Sequence, residues 1–100
     1  MTIHNLLNAI EQAKAHNINT LNQLEVLLYI ANGLTNPSQI QAGLRSIYAH
    51  NLSLGSISSI LKILLNENLV EENSDSEDRR LKWFKLTKHG NIIVTNILNS

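Results

Sequence analysis

The 100-residue chain has no cysteine, one proline, four glycines and four aromatic residues, and each shortage excludes something. Without cysteine there is no disulfide framework and no thiolate metal site, and a reducing compartment suits the composition. The glycines, at positions 33, 43, 55 and 90, stand alone, so no glycine-rich loop is present to cradle a phosphate. His4, His16, His50 and His89 include no pair at i,i+3 or i,i+4 spacing, which argues for surface or capping roles rather than a metal site. No Ser-His-Asp spacing is present, so the chain reads as a non-enzyme without a cofactor. No apolar run approaches the roughly 18 to 20 residues of a membrane span. Met1-Thr2-Ile3-His4-Asn5 lacks the basic start of a secretory signal, so a cytoplasmic location and no membrane partner are expected.

Net charge is also lacking, with eight basic and eight acidic residues. Such a balance counts against bulk electrostatic attraction to nucleic acid. The charges are nonetheless segregated. Residues 1–60 hold only Glu11, Lys14, Glu25 and Arg45. Acids then gather at Glu67, Glu71, Glu72, Asp75, Glu77 and Asp78, and bases follow at Arg79, Arg80, Lys82, Lys85 and Lys88. This pattern can present a local positive surface that the total conceals.

What is plentiful is apolar periodicity, with 43% hydrophobic residues. Ile3, Leu6, Leu7, Ile10 and Ala13 recur at helical spacing and predict a helix from about residue 2 to 16. A second helix, capped by Thr20 or by Asn22 with Glu25 as its capping-box partner, carries Leu24, Leu27, Leu28 and Ile30 and stops at Asn32-Gly33. Asn36-Pro37 reads as a cap followed by a first-turn proline, opening a third helix with Ile40, Leu44, Ile47 and Tyr48 on its buried stripe. Ser53 caps a fourth, to about Asn66, with Leu54, Ile57, Ile60, Leu61 and Leu64 on one face and Gly55, Ser59, Lys62 and Asn66 opposite. Asn68 suits a left-handed helix end. The period then shortens to that of strands at 69–72 and 81–86, joined by the turn-rich stretch 73–78. Of the neighbours Trp83 and Phe84, one should face the core and the other be partly exposed. Thr87 caps a last helix bearing Ile92, Ile93, Val94, Ile97 and Leu98.

Helices followed by a two-stranded hairpin make a mainly α winged helix-turn-helix, here with about five helices. The expected organisation is one domain over 1–100: an N-terminal helix within 1–18, a winged-helix core over 20–86 and a C-terminal helix over 87–99. In this architecture the second helix of the pair enters the major groove and the wing reaches the backbone or minor groove. Helix 54–66 would then present Ser56, Ser58, Ser59 and Lys62 to double-stranded DNA, and the wing over 71–85 would add Arg79, Arg80 and Lys82. Lys82 and Lys85, alternating along the strand, are expected at phosphates. Asp78 would orient an arginine through a bidentate pair. No Arg, Gln or Asn occupies the first two turns of the outer face, so sequence preference would lean on DNA shape.

Leu61–Val70, then Asp78-Arg79-Arg80, then Leu86-Thr87-Lys88-His89-Gly90 resemble the MarR signature of a leucine-rich helix end, a D-x-R wing and an L-T-x-x-G helix start. Leu52–Ile57 and Arg79–Thr87 also resemble the PadR family. Asn68 stands where these families prefer glycine. The resemblance implies a homodimeric transcriptional regulator, often a repressor released by a small-molecule effector and associated with the prokaryotic nucleoid. It implies Arg80 as the minor-groove arginine with Asp78 as its partner. The dimer would form through the N- and C-terminal helices, whose apolar faces exceed what so small a core needs. Two alternatives stay open: a winged-helix protein-interaction module, and a DNA-binding protein of plasmid or phage replication or maintenance.

Overall fold

The computed structural model describes Leu7, residues 21–48 (side chains to 46), residues 51–74, Glu77 and residues 81–99. Within these, four helices and one antiparallel hairpin run in the order α1 (Leu21–Ile30), α2 (Pro37–Tyr48), α3 (Leu54–Asn66), β1 (Val70–Ser74), β2 (Lys82–Leu86) and α4 (Lys88–Leu98). Leu7 is helical and exposed; the rest of the helix expected at 2–16, and Thr20 as a cap, lie outside the described residues. The wing residues Asp78, Arg79 and Arg80 lie outside them as well.

α1 begins at Leu21, so Asn22 sits inside it and is not its cap. Val26, Leu27 and Ile30 bury the apolar stripe. The helix unwinds through Asn32 N–H to the Tyr29 carbonyl and Gly33 N–H to that of Ile30. Gly33 then takes φ of +133°, a conformation closed to side chains with a Cβ. Thr35, buried next in the chain, pairs with Phe84 in both directions: its N–H donates to the Phe84 carbonyl (3.0 Å) and its carbonyl accepts from the Phe84 N–H (2.7 Å). The α1–α2 connection thereby covers the outer edge of β2 by one bridge.

α2 opens as Asn36-Pro37 foretells, and more fully. Asn36 Oδ1 accepts from the Gln39 N–H (2.9 Å), while Gln39 Oε1 accepts from the Asn36 N–H (3.3 Å). This is a reciprocal capping box with proline at the first helical position. Thr35 Oγ1 donates to the same Gln39 oxygen (3.0 Å), tying the cap to the bridge. Ile40 and Leu44 point into the core.

The turn into α3 is held from α2. Gln41 Nε2 donates to the Leu52 carbonyl (2.9 Å) and Arg45 Nε to Asn51 Oδ1 (3.0 Å). Ile57, Ile60, Leu61 and Leu64 are buried. At its end the Asn68 N–H donates to the Leu65 carbonyl and the Leu69 N–H to that of Leu64, with Asn68 at φ of +58°. That is a Schellman termination with asparagine in the left-handed position.

β1 and β2 pair in the register Val70 with Leu86, Glu72 with Phe84 and Ser74 with Lys82. β1 reaches Ser74, two residues beyond the strand expected at 69–72, because residues 73 and 74 still find partners in Trp83 and Lys82. Phe84 is the core residue of the aromatic pair, 4% exposed, and Trp83 is half-buried. α4 starts on Thr87, whose Oγ1 accepts from the Gly90 N–H (2.8 Å) and donates to the Asn68 carbonyl (2.6 Å). The Thr87 N–H donates to the Leu69 carbonyl (3.1 Å). Ile93, Val94 and Ile97 complete the core, while Ile92 and Leu98 remain exposed.

Gly90 lies so close to this turn that a Cβ there would overlap the Leu69 carbonyl oxygen, a backbone atom that cannot rotate away. Gly90→Ala should therefore lose about 1–3 kcal/mol in urea unfolding, the range of an overpacked core. Gly55→Ala, whose new Cβ meets nothing nearer than the Ser53 hydroxyl at 3.8 Å, should instead gain up to about 1 kcal/mol from helix propensity. Equal effects at the two sites would show that the contact is not limiting.

Candidate nucleic-acid interface

α3 exposes its outward side, and the first two turns of that side are built largely from small residues. Ser53 accepts the Ser56 N–H at 3.0 Å and donates to the Ser56 hydroxyl at 3.0 Å, fixing the first turn. The Ser59 hydroxyl donates back to the Gly55 carbonyl (3.1 Å). Ser56 and Ser59 thus commit hydroxyl capacity to the helix itself. Ser58 and Lys62 are exposed, and Leu54 and Ile63 flank them as exposed apolar residues.

A groove of about 390 Å³ separates α3 from the hairpin and from the start of α2. Leu61, Leu65 and Phe84 contribute apolar lining, and Ser58, Lys62, Lys82 and Glu72 contribute polar groups. Three sequence-predicted residues, Ser58, Lys62 and Lys82, therefore meet at one groove. Ser56 and Ser59 lie outside it on α3, and Asp78, Arg79 and Arg80 are among the residues not described. A wider hollow of about 520 Å³ near Tyr29, Thr35 and Gln39 contains none of the predicted residues.

Lys82 and Lys85, expected to act alike, fall on opposite faces of the hairpin, because three residues along a strand reverse the side-chain direction. Lys82 shares the face of Phe84 and pairs with Glu72, Nζ to Oε1 2.7 Å; Lys85 pairs with Glu71 at 3.1 Å. Glu72 is a site residue that sequence reasoning missed, and Glu71 was missed as the partner of Lys85. The signal lay in hairpin register: Glu71 stands opposite Lys85, and Glu72 stands diagonal to Lys82. Thr35 and Gln39 were also missed, although Asn36-x-x-Gln39 is a capping-box spacing. Among the described residues no group of three or more histidines, cysteines or acids gathers to hold a metal, and no helix is long and apolar enough to cross a membrane.

No protein family matches the sequence, and no curated protein does. Solved structures do. A mutant of Staphylococcus aureus MepR bound to an oligodeoxyribonucleotide superposes with a TM-score of 0.77 at 19% identity, over 96% of this chain and 67% of that one. The Bacillus subtilis YusO protein gives 0.76 at 21% identity, and a cysteine-to-serine mutant of Escherichia coli MarR complexed with operator DNA gives 0.72 at 21%. The chain has the MarR-type winged-helix fold. Of the two families that the sequence resembles, MarR is the one these structures represent. The chain covers 64% of the length of the YusO and MarR chains. In this fold α2, the turn at Asn51-Leu52-Ser53 and α3 form the helix-turn-helix, and β1 and β2 form the wing.

The cap on α3 holds the turn that carries Gly55, Ser56 and Ser58. Ser53→Ala should cost about 1 kcal/mol in urea unfolding, as N-cap deletions do. Ser59→Ala, which removes a hydroxyl on the exposed side, should stay within about 0.5 kcal/mol. A silent Ser53→Ala would mean that packing alone sets the first turn.

Proposed function

We propose that the protein is a sequence-specific regulator of transcription that binds double-stranded DNA, with α3 in the major groove and the wing over 71–85 at the minor groove, acting as a repressor. The observation that carries this reading is the meeting of Ser58 and Lys62 of α3 with Lys82 of the wing at one exposed groove, on a fold that two compared proteins bring to DNA. Small side chains along α3 favour close approach to the duplex, and Lys62 is suited to a phosphate or a guanine edge. Arg80, aimed by Asp78, would enter the minor groove, where potential is most negative. Ser56 and Ser59, on α3 outside the protein's own groove, would stand at the wall of the DNA major groove. The chain is read as one domain, and as a non-enzyme.

A homodimer is part of the proposal. Ile92 and Leu98 are exposed on α4, and Leu7 is exposed on the N-terminal side, giving apolar surface for a second copy. Two copies of α3 would address half-sites about one helical turn apart on a roughly palindromic operator. A small-molecule effector and a place at the nucleoid belong to the same reading.

Selection of genomic DNA fragments by the purified protein tests it directly. Enrichment of a palindromic sequence supports the reading. Failure to retain any duplex at low salt would sink it and favour a protein-interaction module; an enriched replication origin would point to replication or maintenance. Lys62→Ala should weaken binding across sequences and lower the salt slope by about 0.9 if it meets one phosphate. Arg80→Ala should act in the same direction, and unchanged affinity in a folded Arg80→Ala protein would remove the wing tip from the mechanism.

A further inference from the structure

Lys82 stands at the groove between α3 and the wing, where a phosphate would be met, yet it is already occupied. Its ammonium lies 2.7 Å from Glu72 Oε1. The two partners are held unequally: the Glu72 side chain is 29% exposed and that of Lys82 54%. The acid is the anchored partner and the lysine the one able to swing outward. Glu72 belongs to the same groove lining as Lys62 and Ser58, so its charge faces the surface offered to DNA. The second pair differs in both respects. Glu71 and Lys85 are about equally exposed and lie on the other face of the hairpin, with Trp83.

We propose that Glu72 is an internal competitor of the DNA backbone: its carboxylate occupies Lys82 in the free protein and must be displaced before Lys82 can engage a phosphate. The inference rests on the DNA-binding reading and adds a residue that limits its strength. A carboxylate and a phosphate oxygen make the same charge-assisted hydrogen bond to an ammonium, so one excludes the other. An exposed ion pair is weak enough for a polyanion to break, and strong enough to be felt in affinity. The neutral amide of glutamine would release Lys82 without changing the side chain's size.

The test is a double-mutant cycle read by fluorescence anisotropy on a labelled mixed-sequence duplex at several salt concentrations. Glu72→Gln should tighten binding about 2- to 5-fold, and steepen the salt slope by up to about 0.9 as one more phosphate is neutralised. Glu72→Asp, which keeps the charge, should stay near wild type, and Glu71→Gln should change binding less than Glu72→Gln. In a Lys82→Ala background Glu72→Gln should have no effect. An equal gain in both backgrounds would overturn the competition and leave only a general charge effect; no gain in either overturns it too. Absence of binding by wild type and Glu72→Gln alike would overturn the DNA-binding reading and this inference together. Both side chains are at the surface, and circular dichroism should show all variants folded.

Discussion

The wing hangs from one tight contact, the approach of Gly90 to the Leu69 carbonyl. Around it converge the end of α3, the start of β1, the end of β2 and the start of α4. Asn68 turns the chain left-handed, which aims the Asn68 and Leu69 carbonyls at Thr87. Thr87 answers with its hydroxyl and its backbone N–H, then uses the same hydroxyl to receive the Gly90 N–H. A side chain at position 90 would hold these elements apart. Because α3 ends at this junction and the hairpin both begins and closes there, Asn68, Leu69, Thr87 and Gly90 lie where α3 passes into the wing. The groove holding Ser58, Lys62 and Lys82 lies between the two elements that meet there.

Much of this was legible in the sequence because the stop and start signals are local. Pro37, Ser53, Asn68 and Thr87 each act within a few residues, and each does what its chemistry suggests. The order of helices, hairpin and final helix followed from the change of apolar period at Leu69. Less legible were features that need a partner far along the chain. The Thr35–Phe84 bridge joins residues 49 positions apart, and nothing near Thr35 announces it beyond a β-branched residue between a glycine and a helix cap. Hairpin register was equally hidden. Treating 69–72 as the first strand left Asn73 and Ser74 in the turn, and Lys82 without Ser74, the cross-strand partner that fixes its register. Asn22 misled because a good capping residue also sits tolerably inside a first turn, where Leu21 precedes it.

The candidate site has a polarity that composition alone does not convey. α3 presents glycine, serine and two flanking apolar residues, with Lys62 as its one cation. Two of its serines use hydroxyl capacity on the cap and on the preceding turn, which narrows what remains for base edges. A face of this kind is suited to fit closely and poorly suited to discriminate by many hydrogen bonds. Discrimination would then pass to groove width and deformability, for which the spacing between helix and wing matters more than any one side chain. The Leu69–Gly90 junction is where helix and wing meet.

The neutral total charge takes on a different sense in this light. A strongly basic winged helix would bind any duplex through counterion release, and its specific sites would compete with an entire genome of nonspecific ones. Here the hairpin places Glu71 and Glu72 against Lys85 and Lys82, so that each strand cancels the charge of the other. Only a duplex seated deeply enough for α3 to enter the major groove would, on the proposed reading, bring a phosphate to Lys82. On the proposed reading the cancellation suppresses the sequence-independent part of binding more than the seated part. A chain with zero net charge can then be selective because geometry decides when its basic groups are released.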